Sequence, residues 1–211
     1  MMQRSVLHLD ALQSEFAAKR QEIRARLAEF SAVPPEEYFY ELVYCLLTPQ
    51  SSAVNAAKVL LRLREADARK EDLSLPKLLG DKVHYIRFHN TKAGRIRKAR
   101  AMIPEVTAAV RRIRDSVELR SWLVAHVDGL GLKEASHFLR NIGRLNLAIL
   151  DRHILRNLKR YGVIRSLPKT LTPKRYFAIE RKFAQFAERS GISMDELDLL
   201  FWSRETGQIL K

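Results

Sequence analysis

One cysteine, Cys45, is all that this chain of 211 residues holds. It cannot close an internal disulfide, nor can it supply the thiolate cluster of a structural zinc site or of a four-cysteine iron–sulfur cluster. A reducing compartment is therefore expected. Eight glycines and seven prolines are too few and too scattered for a linker-rich or low-complexity chain, and no internal repeat is present. Long apolar runs are also missing: nothing approaches the roughly 18 residues of a membrane span, and the opening MMQRSVLHLD has no signal-peptide core. The expectation is a soluble intracellular protein without a membrane partner. Acidic residues are scarce as well, 24 against 38 lysines and arginines, for a formal charge of +14.

What is present is concentrated. Residues 87–114 carry nine basic side chains (Arg87, Lys92, Arg95, Arg97, Lys98, Arg100, Arg111, Arg112 and Arg114) against the single acid Glu105, and residues 151–165 carry five against Asp151. The rest of the chain is almost neutral. A solubility device would be spread evenly, so this clustering points to a polyanion, most economically the phosphate backbone of DNA. One basic helix face alone would be an ordinary solvated surface.

Apolar residues recur at three and four spacing nearly throughout, and no alternating strand with a hairpin turn is found. The fold class predicted is all-α, in two helical lobes with a DNA-binding cleft: residues 1–90 with 171–211, and a basic lobe over 91–170. The helices expected are one capped by Asp10 and running to Phe30, a buried one over Tyr38–Leu47, one from Ser51 or Ser52 to about Asp67, and one from Thr91 that Pro104 interrupts. Residues 83–90 read as a loop of functional interest. A helix over 115–127 follows, with Val117, Trp122, Val124 and Val127 on its partly buried side. Asp151 caps a helix that Gly162 closes, Thr172-Pro173 opens another ending near Gly191, and Ser193-Met-Asp-Glu196 is a capping box for the last.

The segment VDGLGLKEASHFLRNIG, residues 127–143, is a helix, a Gly-x-Gly turn and a second helix, the helix-hairpin-helix pattern. Gly129 and Gly131 permit a tight turn whose amides approach a DNA phosphate, directly or through a monovalent cation. A Gly-Leu-Gly turn alone would serve equally as a plain helix connection; here basic helices flank it on both sides. Lys133 lies just inside the second helix, where the helix dipole disfavours an ammonium. Partial desolvation there would further favour the neutral amine that a nucleophile needs. Asp151 follows 18 residues later, in ILDRHI, at the N-cap of a helix with Arg152, Arg156, Lys159 and Arg160 on one face and Ile154, Leu155, Leu158 and Tyr161 on the other. Ten residues of helix beyond Lys133 span about 15 Å, and residues 143–150 can stretch to roughly 26 Å, so the chain is long enough to return Asp151 to Lys133.

The hairpin with Lys133 and Asp151 resembles the helix-hairpin-helix DNA glycosylase superfamily. The longer string GLKEASHFLRN, with LLTPQ ending at Gln50, RFHNTKA from Arg87 to Ala93, and a C-terminal lysine, resembles the compact second class of 8-oxoguanine DNA glycosylase/AP lyases of archaea and some bacteria. The likeness covers most of the chain. It departs from the endonuclease III and adenine glycosylase branches in lacking four cluster cysteines, and from the eukaryotic 8-oxoguanine enzymes in lacking a β-rich N-terminal domain. The resemblance implies base excision from duplex DNA containing oxidised guanine: Lys133 attacks C1′ and forms a Schiff base, and Asp151 stabilises positive charge there. It further implies that Gln50 lies near the gap left in the duplex, that Phe88, Trp202 and the terminal Lys211 form the base pocket, and that Gly129, Gly131, Arg152 and Arg156 meet the backbone. No metal and no iron–sulfur cluster are expected, a monovalent cation at the hairpin being the one ion foreseen. A monomer in the cytoplasm, at the nucleoid, completes the expectation. Two rivals stand beside it: a non-catalytic DNA-binding protein in which Lys133 contacts phosphate and Asp151 only caps, and a glycosylase/lyase for oxidised pyrimidines.

Overall fold

A computed structural model describes residues 2–69 and 74–209, and every regular element in them is helical. In chain order these are α1 (Met2–Ser31), a 3-10 turn (Pro35–Glu37), α2 (Tyr38–Leu47), α3 (Ala53–Glu65), α4 (Leu75–Leu79), α5 (His89–Arg112), α6 (Ser116–His126), α7 (Leu132–Asn141), α8 (Arg152–Arg160), α9 (Pro173–Ser190) and α10 (Met194–Thr206). No helix among the described residues is long and apolar enough to cross a membrane.

The chain divides into two compact units, one of residues 33–138 and one of residues 1–32 with 139–211. The expected boundaries, 90/91 and 170/171, differ from these. The reason lies in α2, every residue of which is buried. It packs along α5 and α3, so residues 33–90 share a core with the segment that leads to the hairpin. In this unit α5 runs unbroken through Pro104, contrary to the expected interruption. Lys92, Ala93, Ile96 and Ala99 before the proline and Val106, Ala109 and Val110 after it are all buried, and packing of both halves outweighs the hydrogen bond that proline cannot donate. Asp115 caps α6 through a bond from the Glu118 amide, but the buried face is Leu119, Arg120, Leu123 and Val127, with Val117 and Val124 exposed. Arg120 is fully buried and donates to Ser136 Oγ on α7 at 3.1 Å.

In the other unit α1 packs on α10, burying Leu12, Phe16, Ile23 and Phe30. The helix begins at Met2, well upstream of Asp10, which sits exposed inside α1 instead of capping it. Arg204 of α10 ties three helices together, donating to Glu15 on α1 at 2.9 Å, to Asn157 on α8 and to Tyr161 Oη at 2.6 Å. The Thr172 and Ser193 caps form as expected, the second as a complete capping box.

Candidate functional site

Unit 33–138 carries the hairpin. Its turn follows α6 and is closed by Leu130 N–H donating to Val127 O at 3.2 Å. Gly129 has φ +93°, a backbone that calls for glycine, and a Cβ there would sit 2.4 Å from Cδ of Arg95 and displace that side chain. Gly131 is different. Its φ is not positive, and a Cβ would meet only the movable carboxylate of Glu134 at 3.0 Å. The amide of Gly131 donates to Oε2 of Glu134 at 3.2 Å, so the donor expected for a phosphate is capped by a carboxylate. Arg95 and Lys98 of α5 lie beside the turn and pair with Asp128 at 3.8 and 2.7 Å.

Lys133 is the second residue of α7, at the helix N-terminus as expected, and its side chain is 27% exposed. Its Nζ lies 3.1 Å from Oε1 of Glu134. The same unit holds Gln50 and Phe88, and both are non-glycine residues in the left-handed region, at φ +55° and +60°. Left-handed backbone at a side chain this large is retained only where its surroundings enforce it. Gln50 is exposed in a turn closed by Ser51 N–H to Thr48 O at 3.0 Å; Phe88 is 50% exposed at the N-cap of α5, with the Arg87 guanidinium over its ring.

Between these two turns sits a residue that the charge count misread. Lys92 was grouped with the phosphate-attracting cations, yet it is 2% exposed. Its Nζ donates to Leu47 O at 2.6 Å, to Pro49 O at 2.7 Å and to Ser51 Oγ at 3.1 Å. Burial lowers its pKa to about 8, helped by the Arg95 and Lys133 cations and opposed by Glu134. The signal was in the sequence: Lys92 shares the apolar face of α5 with Ala93, Ile96 and Ala99. Of the other basic residues in that run, Arg87, Arg97, Lys98, Arg111, Arg112 and Arg114 are exposed.

The unit with the C-terminal helices holds Asp151, partly exposed at the N-cap of α8. Its Oδ1 accepts from the amides of His153 and Ile154, both at 2.8 Å. Both caps use one oxygen, so the carboxylate can cap and still offer Oδ2. Arg152 and Arg156 are exposed on α8, as are Lys159 and Arg160, whereas Ile154 and Leu158 are buried. Trp202 of α10 packs against His153, ring centroids 4.9 Å apart, and His153 Nδ1 lies 3.1 Å from Glu205. Behind Asp151, the buried Asp198 pairs with Arg140 at 3.3 Å. Burial pushes the Asp198 carboxyl up to about 7, with Asp151 and Asp195 adding to the rise and Arg140 opposing it. Lys211 lies outside the described residues.

A glycine-dependent hairpin, a lysine in the first turn after it and a run of exposed arginines define an all-helical protein of the helix-hairpin-helix class. The family model described as 8-oxoguanine DNA glycosylase matches residues 23–192. An 8-oxoguanine DNA glycosylase/AP lyase of Korarchaeum cryptofilum is 40% identical, with 96% of each chain covered, and one of Fusobacterium nucleatum is 39% identical over 89% of this chain and 90% of its own. The crystal structure of the Methanocaldococcus jannaschii 8-oxoguanine glycosylase/lyase in complex with a 15mer DNA containing 8-oxoguanine has a TM-score of 0.84 at 32% identity, covering 95% of this chain and all of that one. The chain belongs to the 8-oxoguanine DNA glycosylase family.

Proposed function

We propose that the chain is a bifunctional 8-oxoguanine DNA glycosylase/AP lyase acting on duplex DNA, with Lys133 as nucleophile and Asp151 as its carboxylate partner. The observation that carries this reading is Lys133 itself, partly exposed in the first turn of the second hairpin helix. A phosphate-binding hairpin presents the sugar of a nucleotide near that turn, and an extruded base leaves its C1′ open to attack.

The reaction balances without an external oxidant or reductant. The Lys133 amine forms a bond to C1′ as the C1′–N9 bond breaks, and the base departs and takes up a proton. Opening of the sugar gives an imine, loss of a C2′ proton expels the 3′ phosphate, and water hydrolyses the imine to restore the lysine. As a carboxylate Asp151 stabilises the positive charge that develops at C1′, and it then accepts a proton from the secondary ammonium formed when the Lys133 amine has bonded to C1′. Gln50 fills the space the extruded base leaves. Phe88 and Trp202 offer aromatic faces to the base, and Lys211 reaches its oxidised edge. The exposed arginines of α5 and α8, Arg152 and Arg156 among them, supply the salt-sensitive attraction to phosphates. The chemistry written above calls on no metal or organic cofactor, and a monovalent cation held at the hairpin would serve phosphate binding alone. The enzyme acts as a monomer at the nucleoid.

Borohydride trapping on a duplex with one 8-oxoguanine tests the reading, because reduction fixes the imine as a covalent adduct. Wild type forms the adduct, Lys133→Gln does not, and Asp151→Asn forms it more slowly. No adduct on either this duplex or one with a ready-made abasic site, despite tight binding, would leave a DNA-binding protein without lyase chemistry. A preference for oxidised pyrimidines in a panel of lesion duplexes would replace the substrate and leave the chemistry standing.

A further inference from the structure

We propose that Lys92 is a positioning residue whose buried ammonium locks the Gln50 turn and the Phe88 turn into one rigid unit that meets the duplex. The inference rests on the roles given above to Gln50 and Phe88.

Three donor bonds from one nitrogen span the whole Gln50 turn, at Leu47 O, Pro49 O and Ser51 Oγ. The same Ser51 hydroxyl oxygen accepts from the backbone amide of Arg87 at 3.0 Å. At its own backbone, the Lys92 amide donates to Phe88 O at 3.0 Å. One residue therefore holds the first turn by its side chain and the second by its main chain, and Ser51 joins the two directly. Two exposed residues with left-handed backbones, Gln50 and Phe88, stand on the turns so joined. An exposed turn with Pro49 and Gln50 at its centre has few contacts of its own to hold that geometry. The buried ammonium replaces them with charge-assisted bonds to the Leu47 and Pro49 carbonyls. Phosphate attraction does not explain a lysine 2% exposed, and a methionine or leucine would fill the same space without a desolvation penalty.

Gap filling and base capture are needed only when a stacked, paired base must be taken out. Cleavage at an abasic site already present in a single strand needs neither. The clamp therefore acts on the first reaction and leaves the second as an internal standard for Lys133, whose electrostatic surroundings Lys92 also shares.

Wild type, Lys92→Met, Gln50→Ala and the double variant are compared in single-turnover excision from an 8-oxoguanine duplex and in cleavage of a single-stranded abasic site. Lys92→Met is expected to lower the ratio of the two rates about 10-fold or more, the scale of a small misplacement at a reacting site. Amide exchange over 47–52 and 86–90 is expected to quicken about 10-fold, without change in α6. Added to Gln50→Ala, Lys92→Met is expected to cost far less than it does in wild type, because both act through one turn. Equal losses on the two substrates, unchanged exchange in both segments, or fully additive losses would each overturn the proposal. Should Lys92→Met not fold, Ser51→Ala removes only the shared hydroxyl and carries the same comparison. A Gln50→Ala protein with wild-type duplex excision would reject the Gln50 assignment, whereas the exchange measurement and the rate ratio would still decide the clamp.

Discussion

Lys133 Nζ lies 3.1 Å from Oε1 of Glu134, and the other oxygen of that carboxylate accepts from the Gly131 amide at 3.2 Å. Gly131 stands at the N-cap of α7 without a side chain to bond the helix amides, and Glu134, three residues on, supplies the returning half of a capping box. Glu134→Ala is expected to cost about 1 kcal/mol of stability, and Glu134→Gln, whose amide oxygen still accepts, much less. Thermal unfolding of the two variants checks this. Removing the charge also uncovers the Gly131 amide's partial positive potential, so Glu134→Gln should bind duplex DNA at least as tightly as wild type.

The two hairpin glycines are expected to differ. Gly129→Ala places a Cβ at positive φ and against Arg95, a strain of roughly 1–2 kcal/mol before the clash is counted. Gly131→Ala requires only that the end of the Glu134 side chain shift. Melting temperature and duplex affinity should fall clearly in the first variant and little in the second. Equal effects would mean that the turn is not held as described.

Deletion of Lys211 should reduce 8-oxoguanine excision more than cleavage at a ready-made abasic site, since only the first requires recognition of the oxidised base. Rates on the two duplexes, measured with one preparation, decide it. Equal losses would remove Lys211 from the base pocket.

Asp198 imposes a pH dependence on stability. Its carboxyl is raised to about 7 in the folded chain from an ordinary value of 3.8. Between those values the folded state holds the proton more tightly than the unfolded one, so this group's contribution to stability is largest below pH 4 and declines as pH rises to 7. The decline approaches about 1 kcal/mol per pH unit in the middle of the window. Asp198→Asn resembles the protonated acid and removes the dependence. Urea unfolding at pH 5, 6, 7 and 8 should show wild type losing stability relative to the variant as pH rises; parallel curves would contradict the raised value.

Exposed arginines on α8 predict a salt-dependent affinity. Arg156→Gln should lower the slope of log affinity against log salt by about 1 if the side chain neutralises one phosphate. The loss should be the same for lesion-bearing and undamaged duplexes. A loss confined to the lesion duplex would place Arg156 in base recognition instead.

Helix class, the buried α2, the caps at Ser52, Asp115, Asp151, Thr172 and Ser193, and the Gly-x-Gly hairpin with its lysine are all local, and local chemistry is what a linear sequence records most directly. Periodicity marks the face a helix buries, and a capping residue needs only its neighbours three positions on. Family membership was legible for the same reason: the strings around Gln50, Phe88, Lys133 and Asp151 are contiguous.

What the linear chain could not decide were matters of partnership across it. That α5 continues through Pro104, and that residues 33–90 share a core with the segment that leads to the hairpin, follow from the burial of α2 against α5, a contact between segments far apart in sequence. Lys92 counts as one positive charge in any composition, and only the fold removes it from water and puts three oxygens 41 to 45 positions upstream around its nitrogen. The sequence alone determined which residues could carry the chemistry. Tertiary structure decided which cations face solvent and which hold the turns in place, because burial and hydrogen-bond partners exist only once distant segments meet.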